Sequence, residues 1–190
     1  MLPNLVTARL RVEHVAPGHA QALADFFVRN DRHLAPWDPP RPAGITSAAF
    51  WRAECERAVA DYDDGTVVRW VLRLREDPRL VIGRINYTQI ARGPFQSCML
   101  GYAIDCAHEG RGLMHEALEA TIEHVFTVLR LHRIQANYVP VNARSGRLLE
   151  RLGFTREGLA RNYLFVDGAW RDHVLTALIN PRQQPALARS

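Results

Sequence analysis

Residues 97–129, SCMLGYAIDCAHEGRGLMHEALEATIEHVFTVL, decide the fold. Ser97–Ile104 follows a turn signal at Arg92–Pro94 and reads as a strand. Leu113–Leu129 reads as a helix, because Leu118, Ile122, Val125, Phe126 and Leu129 recur at helical spacing and form one apolar stripe. Between them stand Gly110 and Gly112, immediately before the helix. Glycine adopts positive φ at little cost and lets a ligand approach its amide. The first N–H groups of a helix lack intrahelical acceptors, and the helix dipole favours negative charge there. A strand–glycine turn–helix of this kind suits a pyrophosphate, with Arg111 placed to add a charge-assisted contact. A purely structural turn is the other reading of the same residues. No third glycine follows at the spacing of a dinucleotide fingerprint, and Met114 stands close behind the second.

Working outward, the pattern gives a mixed α/β chain. Thr7–Val15 alternates as a first strand, and Pro17–Asn30 is a helix burying Ala20, Leu23, Ala24, Phe27 and Val28. Asp31–Thr46 holds Pro36, Pro39, Pro40 and Pro42, which deny it regular structure and make it a loop. A long loop carrying Trp37 suits a substrate lid; equally, Trp37 could pin the loop to the core. Ser47–Tyr62 is a second helix, and Val67–Leu74 and Leu80–Ile90 are strands. After the central unit come a strand at His132–Val139 and a helix at Asn142–Leu152, ended by Gly153. A final hairpin, Phe154–Val166 and Trp170–Ile179, turns at Asp167–Gly168. The 190 residues are expected to form one domain, with a frayed tail after Pro181.

Composition narrows the chemistry. Hydrophobic residues at 47% and charged residues at 23% fit an ordinary globular protein, and no apolar run approaches the ~20 residues of a membrane span. The first residues lack the pattern of a secretory signal. Cys55, Cys98 and Cys106 have no metal-binding spacing, so a reducing cytoplasm is the expected compartment and a zinc site is not expected. The net charge is +4, yet all 24 basic residues are arginines scattered along the chain, and no nucleic-acid recognition motif accompanies them. Without lysine there can be no Walker-type phosphate contact and no Schiff-base or lysine nucleophile. The sequence leaves oligomeric state open, a homodimer included.

Tyr102–Met114, followed by Asn142-Ala-Arg-Ser145, Leu148, Leu149 and Gly153-Phe154, resembles the paired acetyl-CoA motifs of the GNAT N-acetyltransferase superfamily. HLAPW at 33–37, GLMHEAL at 112–118, LHRIQANYVPVNARSGRLLERLGF at 131–154 and DGAWRDHVLTALI at 167–179 resemble the ribosomal-protein alanine N-acetyltransferase branch. The likeness runs from Thr7 to Ile179. It implies a mixed, mostly antiparallel sheet of about seven strands flanked by about four helices, with a splayed cleft for acetyl-CoA. It further implies that the main chain of Ala103, Ile104 and Asp105 pairs with the pantetheine arm, and that Glu109, Gly110, Arg111, Gly112, Leu113 and Met114 surround the pyrophosphate. The family pattern at the turn has Gln or Arg where this chain has Glu109, and a small residue where it has Met114. Glu109 is therefore expected to turn its carboxylate away and offer its N–H. Asn142 is a helix N-cap on its own merits. The resemblance adds that it contacts the cofactor arm while Ser145 faces the thioester sulfur.

Acetyl transfer from a thioester requires a neutral amine, a stabilised oxyanion and a protonated leaving thiolate. Many relatives place a tyrosine acid four residues before the Gly-Phe pair, and here Leu149 occupies that position. Ser145, one helical turn earlier, is the replacement candidate. It need not be a strong acid, since a thiol ionises only near about 8.5. An N-terminal amine has a pKa of about 7.7–8.0, so a weak base or an ordered water suffices, whereas a lysine acceptor at about 10.4 would need more. Asp105 and Asp172 are the carboxylate candidates for that base, and His108 lies beside the turn. The implied acceptor is the N-terminal alanine of a ribosomal protein, bound near Trp37. A small amine such as an antibiotic or polyamine, and a non-catalytic acyl-CoA-binding module, are the alternatives.

Overall fold

The structure is a computed structural model that describes residues 4–182. The tail expected to fray lies, beyond Arg182, outside the described residues. Among the described residues one eight-stranded sheet forms from β1 (Leu5–Val6), β2 (Leu10–His14), β3 (Val68–Leu74), β4 (Gly83–Ala91), β5 (Ser97–Ile104), β6 (Arg133–Gln135), β7 (Thr155–Val166) and β8 (Ala169–Ile179). Their spatial order is β1-β2-β3-β4-β5-β6-β8-β7. Neighbours run antiparallel except β5 and β6, which are parallel. The helices are α1 (Ala20–Arg29), α2 (Asp31–Leu34), α3 (Ala48–Asp63), α4 (Leu113–Thr127) and α5 (Ala143–Arg151).

Alternation along the strands divides the core between the two faces. Val68, Trp70 and Leu72 of β3 point to the side where α4 lays down Leu113, Met114, Ala117, Leu118, Ile122, Val125 and Phe126. Val71 points to the opposite side, against Leu23, Phe26 and Phe27 of α1 and Cys55 and Ala58 of α3. The expected hairpin closes at Asp167 (φ 49°) and Gly168 (φ 70°), both left-handed as a primed two-residue turn requires. Ser47 caps α3 by accepting from Phe50 N–H.

Four expectations change. Val28, expected in the buried face of the first helix, is exposed, and Phe26 is buried there instead. β1 is an addition: two residues that pair with Val12 and Arg11 carry no periodic signal of their own. Asp31–Leu34, expected as loop, forms the short α2, and Arg41 donates to the Asp31 carbonyl and carboxylate at 3.1 and 2.6 Å. The strand expected over His132–Val139 holds regular pairing only at Arg133–Gln135, and this shortening opens the functional cleft. No helix among the described residues is long and apolar enough to cross a membrane.

Two buried histidines tie the fold to pH. His124 on α4 packs edge-on against Trp70, and His14 against Tyr62, each with Nε2 unpartnered among the described residues. Burial lowers the pKa of both. The unfolded chain therefore binds their protons first. Their contribution to stability is full above the ordinary histidine pKa of about 6.5 and is lost as pH falls through the folded values. The melting temperature is expected to fall as pH drops below about 6.5, and His124→Phe, which keeps the packing on Trp70, should flatten that fall. Thermal unfolding followed by circular dichroism checks this, and an unchanged slope in the variant would rule out His124 as the source.

Candidate active site

Strand β5 pairs with β4 along its length but with β6 only through Ser97, Cys98 and Met99. Past Gln135 the chain parts from β5 but keeps its pairing with β8: Ala136 N–H donates to Thr176 O at 3.0 Å, and Tyr138 N–H to Val174 O at 3.2 Å. Leu100–Ile104 is left with an open edge on that side, a row of main-chain donors and acceptors available to an extended ligand. The gap widens into a cleft of about 780 Å³, within the usual range for ligand sites. Ala103 and Ile104 line one wall, Ala136–Val139 the other, and residues from both faces of the sheet contribute. The cleft therefore passes through the sheet.

Where β5 ends, Asp105 starts the turn. Its Oδ1 accepts from Ala107 N–H at 2.9 Å; its Oδ2 accepts from Asn30 Nδ2 at 3.0 Å and Arg29 Nε at 3.3 Å. The buried Asn30 returns a bond, accepting from Cys106 N–H at 2.9 Å. Burial raises the Asp105 pKa, but these donors outweigh it and hold the carboxyl below its ordinary range. Both oxygens are thus engaged and the group is a weak base. The expected catalytic role does not suit this setting, and Asp105 instead ties the end of α1 to the turn.

Gly110 (φ 72°) and Gly112 (φ 72°, ψ 5°) are both left-handed. Gly112 caps α4, and Glu116 N–H donates to its carbonyl at 3.1 Å. The earlier N–H groups of the helix, on Leu113, Met114 and His115, have no intrahelical acceptor, and all three residues line the cleft. Arg9 fixes the orientation of the turn. Its Nη1 donates to Arg111 O at 2.9 Å, and its Nε and N–H donate to the two oxygens of Glu116 at 2.6 and 2.8 Å. Thr7 Oγ1 adds a bond to Glu116 at 2.6 Å. Burial raises the Glu116 pKa, but these donors outweigh it and hold the carboxylate low. A trans peptide points its C=O and N–H in opposite directions. Holding Arg111 O against Arg9 therefore turns Gly112 N–H the other way. Arg111 contributes this carbonyl; its side chain does not line the cleft, whereas Arg144, Arg147 and Arg151 of α5 do.

Glu109 also departs from expectation. Its carboxylate lines the cleft rather than turning away, bridging His33 Nε2 at 3.2 Å and the Arg144 guanidinium. The charge unfavourable to an anion is thereby offset by the Arg144 guanidinium. Met114, in the first turn of α4, is buried in the core, which explains why a large residue is tolerated at the usually small position.

Asn142 caps α5 by accepting from Ser145 N–H at 3.1 Å. The Ser145 hydroxyl lies 2.7 Å from Tyr102 Oη, a partner that sequence reading missed because Tyr102 reads there as an ordinary strand residue. Leu149 is fully packed in the core, so the tyrosine-acid position of the family is apolar here. Trp37 is 39% exposed and lines the cleft together with Asp38, which is paired with Arg41 and Arg84. Asp172 stands apart from the cleft, accepting from Asn162 N–H at 2.9 Å in the hairpin. His108 lines the cleft 3.6 Å from Asp105. His173 lines it too, with Nδ1 3.1 Å from Arg171 O, a carbonyl to which Nδ1–H donates. Nothing in the sequence pattern singled His173 out.

Comparison with known proteins agrees with this architecture. Residues 9–155 match the family described as Acetyltransferase (GNAT) domain. The [Ribosomal protein uS5]-alanine N-acetyltransferase of Escherichia coli strain K12 is 42% identical over 182 residues, 96% of this chain and 93% of that protein. The crystal structure of ribosomal-protein-S5-alanine acetyltransferase from Vibrio fischeri superposes with a TM-score of 0.92 at 33% identity, covering 96% of this chain and 100% of the other. Mycobacterium smegmatis RimJ in complex with CoA-disulfide gives a TM-score of 0.83 at 30% identity, over 90% and 81% of the two chains. The chain belongs to the GNAT acetyltransferase family, in the branch of the ribosomal-protein alanine N-acetyltransferases.

Proposed function

We propose that this protein transfers acetyl from acetyl-CoA to the α-amine of the N-terminal alanine of a ribosomal protein, uS5 by likeness, in the cytoplasm. The observation that carries the reading is a cleft that passes through the sheet, with a glycine turn and unpaired helix N–H groups on its border. The residues present fit the co-substrate. Gly110, Gly112, Leu113 and Met114 offer main-chain donors to a pyrophosphate, and Arg147 and Arg151 supply positive charge. The open edge at Ala103–Ile104 offers main-chain pairing to the amide-bearing pantetheine arm. Trp37, Asp38, Arg84, Asn86, Gly101 and His173 line the rest of the cleft and form the acceptor's share of it. Gly101 leaves that wall bare, for a Cβ there would meet nothing within 4 Å.

In the reaction the amine nitrogen bonds to the thioester carbonyl carbon and the carbon–sulfur bond breaks. The nitrogen gives up a proton to His173 Nε2 or to water, and the thiolate takes one from solvent. An α-amine at about 7.7–8.0 needs little help to lose its proton, and a thiol near about 8.5 needs little help to regain one. Ser145 hydrogen-bonds the sulfur as charge develops on it. Incubating the protein with acetyl-CoA and either peptides starting with Ala, Ser or Met or a set of polyamines, and measuring free CoA, tests the acceptor. Turnover on the Ala-starting uS5 peptide at least about tenfold above the others is expected; turnover confined to polyamines would overturn the reading.

A further inference from the structure

We propose that Tyr102 is a positioning residue for acetyl transfer: its phenol donates to Ser145 Oγ and so turns the serine O–H toward the leaving sulfur. The inference rests on the reading of Ser145 given above. Tyr102 lies on β5 beyond Met99, where the strand has parted from β6, and its side chain lines the cleft. Its oxygen is 2.7 Å from Ser145 Oγ, and no other hydrogen bond of Ser145 Oγ occurs among the described residues. A phenol is more acidic than an aliphatic hydroxyl and is the better donor, so the shared proton belongs to Tyr102 and the serine proton is free to point elsewhere. Burial pushes the Tyr102 hydroxyl up to about 12, partly offset by the bond to Ser145, so it stays protonated across the working range.

The helix that carries Ser145 is held as well. Tyr138 packs against Gly146, where a Cβ would stand 2.8 Å from the Tyr138 ring carbon and oxygen. Asn142 grips Ser145 N–H from the other direction. The serine thus has a fixed main chain and a fixed acceptor lone pair, leaving its O–H as the remaining degree of freedom. Neither hydroxyl is consumed. As the carbon–nitrogen bond forms and the carbon–sulfur bond breaks, the serine O–H stabilises the negative sulfur and Tyr102 polarises that O–H. The proton that finally neutralises the thiolate comes from solvent.

Three variants test the pair: Tyr102→Phe, Ser145→Ala and the double change. Tyr102→Phe should lower kcat about tenfold while the KM for acetyl-CoA and the calorimetric Kd for CoA stay within about twofold. Ser145→Ala should cost at least as much, and the double variant should be no slower than Ser145→Ala alone, because the phenol acts through the serine. A readout independent of turnover is the Cζ resonance of Tyr102 in protein labelled with 13Cζ-tyrosine, assigned by its loss in Tyr102→Phe. It should move in Ser145→Ala without any ligand. A slow Ser145→Ala beside a full-rate Tyr102→Phe, multiplicative losses in the double variant, or an unmoved resonance would each overturn the pairing. A full-rate Ser145→Ala would instead remove the reading of Ser145 and the pairing with it.

Discussion

Gly112→Val is expected to weaken acetyl-CoA binding by about a hundredfold or more while leaving the protein folded. Gly112 sits at φ 72° and ψ 5° as the cap of α4. A side chain in that region costs roughly 1–2 kcal/mol, and a β-branched one is a more severe misfit. The strain is relieved by rotating φ to negative values, which swings the Gly112 and Leu113 N–H groups away from the cleft. Two or three hydrogen bonds to phosphate oxygens, at about 1.5–3 kcal/mol each, would be lost or bent. The fold survives because a Cβ at Gly112 meets only Arg9 Nη2, at 3.6 Å, and the core beneath is not disturbed. Isothermal titration with acetyl-CoA, alongside circular dichroism, measures both effects. Binding unchanged in a folded variant would remove the turn from the site.

Ser145→Ala is expected to lower kcat by about tenfold to a hundredfold with little change in the KM for acetyl-CoA. The loss is smaller than the ~10²–10³ typical of an oxyanion-hole donor because a thiolate needs less stabilisation than an alkoxide. Stability should hold or fall slightly, because the Tyr102 hydroxyl loses its partner. The cap of α5 is donated by the main-chain N–H of Ser145, which the substitution keeps, and alanine is the better helix former. Steady-state kinetics with varied acetyl-CoA separates the cases: a rise in KM with kcat intact would make Ser145 a binding residue and nothing more.

Local chemistry made the frame readable in the sequence. Glycines at 110 and 112, the apolar stripe of α4, the Ser47 and Asn142 caps and the Asp167–Gly168 turn all act within a few residues of where they are written. The parts that stayed hidden depend on partners far along the chain. Asp105 reads as a free carboxylate at a strand end, but its donors Arg29 and Asn30 come from α1 and its C-terminal cap, some 75 residues earlier. Arg9 reads as a surface charge on a first strand, yet it holds the carbonyl of Arg111. Tyr102 reads as strand filler until α5 brings Ser145 against it, and His173 is one more residue of the last strand until β8 borders the cleft. The strand at His132–Val139 carried the right residue types for its whole length. Its pairing with β8 continues through Ala136 and Tyr138, while its pairing with β5 stops at Gln135, a separation of β5 from β6 that residue types do not encode.

The turn as the acetyl-CoA site is tested most directly by amide NMR of protein labelled with 15N-glycine and titrated with acetyl-CoA. The 12 glycines sample the chain widely. Gly110 and Gly112 should show the largest shifts, saturating together, while Gly18, Gly65 and Gly168, none of which lines the cleft, should stay in place. Resonances of Gly110 and Gly112 that do not move while acetyl-CoA binds would contradict the assignment of the site.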